Sequence, residues 1–320
     1  MKTRDSIYSA LFFGCCLATI TACTENEDIT PGKKTPVGIT AALTGEVVTK
    51  AENAYAPDTN TKIYLYYKNG ANTTTATEKA IYTYTDSKWN TADVSMHSTD
   101  CIFWDDLAQV EGSYPFFAIS PVDVPTTEVQ TNQSTEANLI KSDLLMAYTA
   151  NTALKSNVNL VFKHMLTKLT VKVDMKDVAN GSTIAVAAVI NNAVKDYTVN
   201  YTEPAPTADI PATVTIGTSR TNITPQTVKG TGNTMREFSA ILPVQDIQKD
   251  KAVVKITITQ GDTNYTYTYQ PEPDDALSLE QGKETTLTLT VKGTVVLPGT
   301  IQVTDWTPTT ANGDISIDTP

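Results

Sequence analysis

Apolar and polar positions alternate with a period of two along most of this chain. In "VGITAALTGEVVTK", Val37 to Lys50, the residues Ile39, Ala41 and Leu43 share one face and Thr40, Ala42 and Thr44 the other. That is the pattern of a half-buried strand. "KIYLYY", Lys62 to Tyr67, repeats it, with Ile63, Leu65 and Tyr67 set against Tyr64 and Tyr66. A "KNGAN" turn comes next, and "AIYTYTDSKWN" predicts a hairpin turning at Asp86 and Ser87. "YPFFAISPVDVP", Tyr114 to Pro125, predicts a strand entering a proline-rich loop, and the polar stretch Thr126 to Lys141 has room for a short helix.

In "VNLVFKHMLTKLTVKVDM", Val158 to Met175, the apolar phase slips around Met165 to Leu169. A one-residue slip sends side chains to the opposite face, so the chain is expected to bend there, where one sheet system passes to the next. Downstream, strands are predicted over Thr183–Ile190 and Glu237–Val244, with a hairpin over Gly261 and Asp262. A strong strand places Leu287, Leu289 and Val291 on one face, and short strands are expected in "TVVLPGTIQVTDWTP" and "GDISIDTP". β-Branched and aromatic residues dominate these tracts and suit a pleated surface. No stretch carries a convincing helical period. Short strands at regular spacing predict an all-β protein of two β-sandwiches in series, expected over residues 38–157 and 158–320.

The first residues obey a different rule. Lys2 and Arg4 precede "SALFFGCCLATITA", Ser9 to Ala22, which is apolar or small almost throughout. It is shorter than the roughly 20 apolar residues of a membrane-spanning helix and has the layout of a secretory signal over residues 1–22. Residues 23–37 are polar with prolines and read as a tether. The signal ends in "ITAC", which resembles the lipobox of bacterial lipoproteins. That resemblance implies cleavage between Ala22 and Cys23, with Cys23 carrying acyl chains such as palmitate in the outer membrane. Each buried CH₂ contributes about 0.8 kcal/mol, so several chains anchor firmly. An ordinary signal peptide with an incidental cysteine is the alternative. The "ENED" run after Cys23 is a solvated tether and also resembles an acidic tag for export to the outer face.

Composition narrows the function. A net charge of −11 over 320 residues, with no Lys/Arg cluster, argues against nucleic acid as a partner. Of four cysteines, Cys15 and Cys16 leave with the signal and Cys23 is the anchor, so Cys101 has no internal disulfide partner. There are two histidines: His97 in a loop, and His164 in an apolar strand, where a packed, hydrogen-bonded core residue is expected rather than a ligand. No spacing suits a metal, a nucleophile elbow or a phosphate-cradling loop. An enzyme is not expected, nor a cofactor.

The lipobox, the alternating strand ending in "VVTKA", then "DLLMA" followed by "VNLVFKHMLTKLTVKV", and finally "LEQGKETTLTLTV" with "IQVTDW" together resemble the fimbrillin family, the type V pilins and their accessory subunits. The tract after "VVTKA" departs from the Trp-x-x-Gly-Asp pattern of many relatives. The resemblance implies transthyretin-like, Greek-key sandwiches and a structural subunit of an adhesive surface fimbria: shaft, tip or anchor. It implies trypsin-like maturation between Lys50 and Ala51, which removes the strand Gly38–Thr49. A donor strand drawn from residues 294–320 of another pilin subunit then fills the groove, with Ile301, Val303, Ile315 and Ile317 as plug residues. The alternative is a non-polymerising outer-membrane lipoprotein that binds glycans on the tyrosines of Tyr64–Tyr67 and Tyr265–Tyr269, although these are also good cross-strand pairs.

Overall fold

The alternating segments do form strands, numbered in chain order. The structure, a computed structural model, describes residues 34–43, 61–68, 77–85, 88–91, 102–110, 112–120, 127–151, 154–177, 184–200, 207, 210–228, 234–292 and 295–306. Two units separate by their contacts, Met1–Lys34 and Thr35–Pro320, and the strands lie in the second. Among the described residues the protein is all-β, apart from short helical turns such as α1 (Glu136–Ile140), which the Thr135 hydroxyl caps at the Asn138 N–H.

The first seven strands make one sheet. They are β1 (Ile39–Leu43), β2 (Lys62–Lys68), β3 (Thr77–Thr85), β4 (Lys88–Thr91), β5 (Tyr114–Ser120), β6 (Leu145–Asn151) and β7 (Val158–His164), in the spatial order β1-β7-β6-β5-β2-β3-β4. Ile63, Leu65, Tyr82, Phe116, Leu160 and Phe162 face a common cluster with Ile39, Leu43 and Trp104. The Tyr82 hydroxyl on β3 donates to the Val37 carbonyl, just before β1, at 2.6 Å, tying together parts of the sheet that are far apart in its strand order. Thr35–Val37, expected in the tether, instead pair with Ile102–Trp104, and Val37 is buried.

Two further sheets enclose a second cluster. One runs β12 (Arg220–Ile223), β9 (Ala185–Val194), β16 (Val253–Gln260), β17 (Thr263–Tyr269). The other runs β13 (Gln226–Val228), β14 (Met235–Leu242), β8 (Thr167–Asp174), β19 (Lys283–Lys292), β20 (Val295–Asp305). Leu169, Val171 and Val173 of β8 and Leu287, Leu289 and Val291 of β19 meet Ile190, Val254 and Ile256 from the facing sheet. Two small ladders, β10 (Tyr197–Asn200) with β11 (Thr213–Ile216) and β15 (Asp246–Ile247) with β18 (Leu277–Ser278), complete the pairing.

The phase slip at Met165–Leu169 falls where the chain changes sheets. β7 ends at His164 in the first sheet and β8 begins at Thr167 in the five-stranded one. A boundary at 157/158 would put β7 in the downstream unit, but β7 pairs with β6 and β1.

Candidate functional site

Two strands at the ends of their sheets frame the candidate site. The first is β1. It lies at the end of the seven-stranded sheet, parallel to β7, with Ile39 opposite Val158, Ala41 opposite Leu160 and Leu43 opposite Phe162. Ile39, Ala41 and Leu43 are buried, and so are their three partners on β7. On the outer face the Thr40 hydroxyl donates to the Asn159 side-chain oxygen. Sequence alternation makes β1 legible as a strand. It carries no sign that β1 runs parallel to a strand more than a hundred residues away, because register across that distance is set by the tertiary fold.

The second edge is β20, antiparallel to β19 and last in the five-stranded sheet. Ile301 stands opposite Leu287, and Val303 opposite Thr285. Directly opposed residues point to the same face, and Leu287 and Thr285 are both 0% exposed. Ile301 and Val303 are nonetheless 49% and 45% exposed. They are apolar residues on the core side of an edge strand with little above them.

Trp306, just past β20, is buried again. Its ring stacks on His164 with centroids 3.6 Å apart and planes 10° from parallel. Its backbone N–H donates to the Gly282 carbonyl at 3.1 Å, and the Gly282 N–H donates to the Leu166 carbonyl at 2.8 Å. His164 Nδ1 lies 2.8 Å from an Asp143 carboxylate oxygen. His164 is therefore the packed, hydrogen-bonded histidine that its apolar strand predicts, and Trp306 is a packing anchor.

Beside it the exposed ion pair Lys283–Asp305 ties the end of β20 to β19. The hydrogen bond from Lys283, with its charge, holds the Asp305 carboxyl below the usual carboxylate range, and Asp305 raises Lys283 in turn. A carboxyl depressed on folding contributes stability above its unfolded value near 4 and loses it as pH falls through its folded value. On acidification below about pH 4, the NMR signal of the Trp306 indole should shift toward that of a loosened end, and Lys283→Met should flatten that pH dependence.

The remaining expected sites divide between residues outside the described set and residues engaged within the fold. Ala22, Cys23, Lys50, Ala51, Ile315 and Ile317, with His97 and Cys101, lie outside the described residues. Ile301 and Val303 are both on β20. The tyrosines considered for glycans are engaged within the fold. Tyr67 is buried, Tyr64 and Tyr66 meet edge to face at 6.2 Å, and Lys79 sits 4.0 Å over the Tyr64 ring. Burial, with Tyr64 beside it, raises the Tyr66 hydroxyl's pKa. Tyr265, Tyr267 and Tyr269 pair across the hairpin with Ile258, Ile256 and Val254. Among the described residues no group of His, Cys, Asp and Glu could hold a metal ion, and no helix is long and apolar enough to cross a membrane.

A fimbrillin-like family model matches residues 49–306. The chain belongs to the fimbrillin-like family. Two crystal structures named for cell adhesion share the fold of this fimbrillin-like chain. One is from Bacteroides uniformis ATCC 8492, at 19% identity and a TM-score of 0.56, covering 86% of this chain and 100% of its own. The other is from Bacteroides ovatus ATCC 8483, at 19% identity and a TM-score of 0.56, covering 86% and 99%. A comparison with curated proteins returned no match.

Proposed function

We propose that this fimbrillin-like chain is a structural subunit of an adhesive cell-surface fimbria, exported as a lipoprotein on Cys23 and assembled by exchange of β-strands. The observation that carries the reading is the position of β1. It is a short, parallel edge strand with buried apolar residues on one side. Taking it away would leave β7 with a row of unpaired backbone groups beside Val158, Leu160 and Phe162. An open edge of that kind templates another strand, and strand addition supplies both ladder hydrogen bonds and side-chain pockets. A head-to-tail contact of this type does not close on itself, so it extends into a filament. The family and the adhesion-named structures that share its fold support a role at the cell surface.

In this reading a trypsin-like protease of the cell surface cuts between Lys50 and Ala51, and the donor is drawn from residues 294–320 of a second subunit. N-terminal sequencing of protein recovered from cells tests this, with a new start at Ala51 expected. Lys50→Ala should keep the lipidated N-terminus and run as a monomer under mild denaturant, where the wild type gives ladders. A wild-type protein that retains residues 23–50 in assembled fibres defeats the proposal.

A further inference from the structure

The end of β20 combines a weak point in its ladder, an uncovered strand and a single buried anchor. The ladder between β19 and β20 shifts register between Leu287 and Leu289, opposite Pro298 to Ile301. Such a bulge leaves a residue unpaired and bends the strand. Pro298 has no N–H to give to a ladder. A Cβ on Gly299 would lie 2.9 Å from the Thr288 carbonyl oxygen, so a side chain there would have to push backbone aside. From Thr300 to Asp305 every residue is exposed, on both faces of the strand. Burial resumes at Trp306, pressed on His164 at the end of β7 and hydrogen-bonded to Gly282.

We propose that Thr300–Trp306 is a hinged arm, bending at the Pro298–Gly299 bulge and latched by the Trp306–His164 stack. Local openings of a fold occur where buried apolar contacts are few and backbone hydrogen bonds face solvent, and the arm has both properties. The latch residue is different: an aromatic ring packed face to face carries a large apolar area. His164 serves as a shelf, oriented by Asp143 and by its place at the end of a strand buried in the first sheet. Lys283–Asp305 adds an exposed pair, a weak fastening. Hinges of moving segments are a few residues that absorb the change in backbone angles, and glycine at the bulge is suited to that. The latch is a property of the monomer and holds whether or not the chain polymerises. Only the use of a released arm, presenting Ile301 and Val303 to another subunit, rests on the fimbrial reading.

Hydrogen exchange on the full-length monomer, read by mass spectrometry, tests this without any assembly. In the wild type, amides of Ile301–Asp305 should exchange at least about a hundredfold faster than those of Leu169–Val173 on β8, through an opening that leaves β8 closed. Trp306→Ala and His164→Ala should each speed arm exchange by about tenfold or more with β8 within about twofold, and the double variant should add little, because both remove one contact. Trp306→Phe should recover part of the protection. If the wild-type arm exchanges only together with β8, or if Trp306→Ala speeds both equally, the arm is not a separate unit and the proposal is overturned. The wild-type comparison and Trp306→Phe decide the matter even if an alanine variant does not fold.

Discussion

Cleaved between Lys50 and Ala51 and stripped of β1, the protein will have no stable monomer unless a strand is supplied to it. Val37, Ile39 and Leu43 are all buried against the first core. Burying an aliphatic side chain of that size contributes roughly 2 kcal/mol, so the three together give about 6 kcal/mol. The ladder to β7 and the bond from Tyr82 to Val37 add about 1 kcal/mol per hydrogen bond. A whole domain is stable by about 5–15 kcal/mol, so losing this one edge removes most of the margin. A peptide spanning Val37–Gly45 should restore a monomer with close to its original unfolding midpoint. The same peptide with Ile39→Asp and Leu43→Asp should not, since carboxylates would be forced into an apolar groove. Without peptide, the trimmed protein should either run as ladders or melt well below the intact form. Should it remain monomeric with its midpoint unchanged, β1 contributes nothing that a neighbour's strand need replace, and the strand-exchange account fails.

Period-two alternation marks most strands correctly. β2, β16 and β19 bury alternate residues as their sequence pattern assigns, and the β16–β17 hairpin turns where expected, because local patterning and local turns set them. The phase slip near Met165 also carries real information: it marks the step from β7 to β8. What stays hidden is long-range. Nothing local shows that β19 runs parallel to β8, or β1 to β7. The C-terminal edge is likewise opaque: Ile301 and Val303 alternate like core residues, yet both are exposed. Alternation gives a side chain its face, while cover over that face comes from another part of the fold. The arm's anchor is opaque in the same way, since nothing in the segment around Trp306 names His164 as its partner.

Buried glutamines leave no mark on the alternation, yet one of them should matter as much as a large core residue. Gln133 is 0% exposed. Its amide nitrogen donates to the Ile241 carbonyl, and its oxygen accepts the Ile241 N–H, each at 2.8 Å. β13 pairs with β14 only as far as Ser239, so beyond that point β14 has a free edge, and the Gln133 side chain takes the place of the missing strand. Gln245 does the same at Val194, at 2.9 and 3.1 Å. Replacing Gln133 by leucine keeps the volume but leaves the Ile241 N–H and C=O buried without partners. At about 1–3 kcal/mol for each orphaned group, Gln133→Leu should cost about 3 kcal/mol or more in denaturant unfolding. Gln133→Glu should cost at least as much at neutral pH, since the carboxylate still accepts the N–H but faces the carbonyl with nothing to donate. It should recover as the acid protonates and regains a donor. Residues 131–133 also bond the Thr224 backbone between β12 and β13, so this segment, just upstream of β6, clasps the sheets around the second core. Loosening it should weaken the cooperativity between them, giving a shallower or two-step transition in place of a single one. A Gln133→Leu protein that unfolds at the wild-type midpoint with the wild-type slope would show that Ile241 finds other partners and that the glutamine is dispensable.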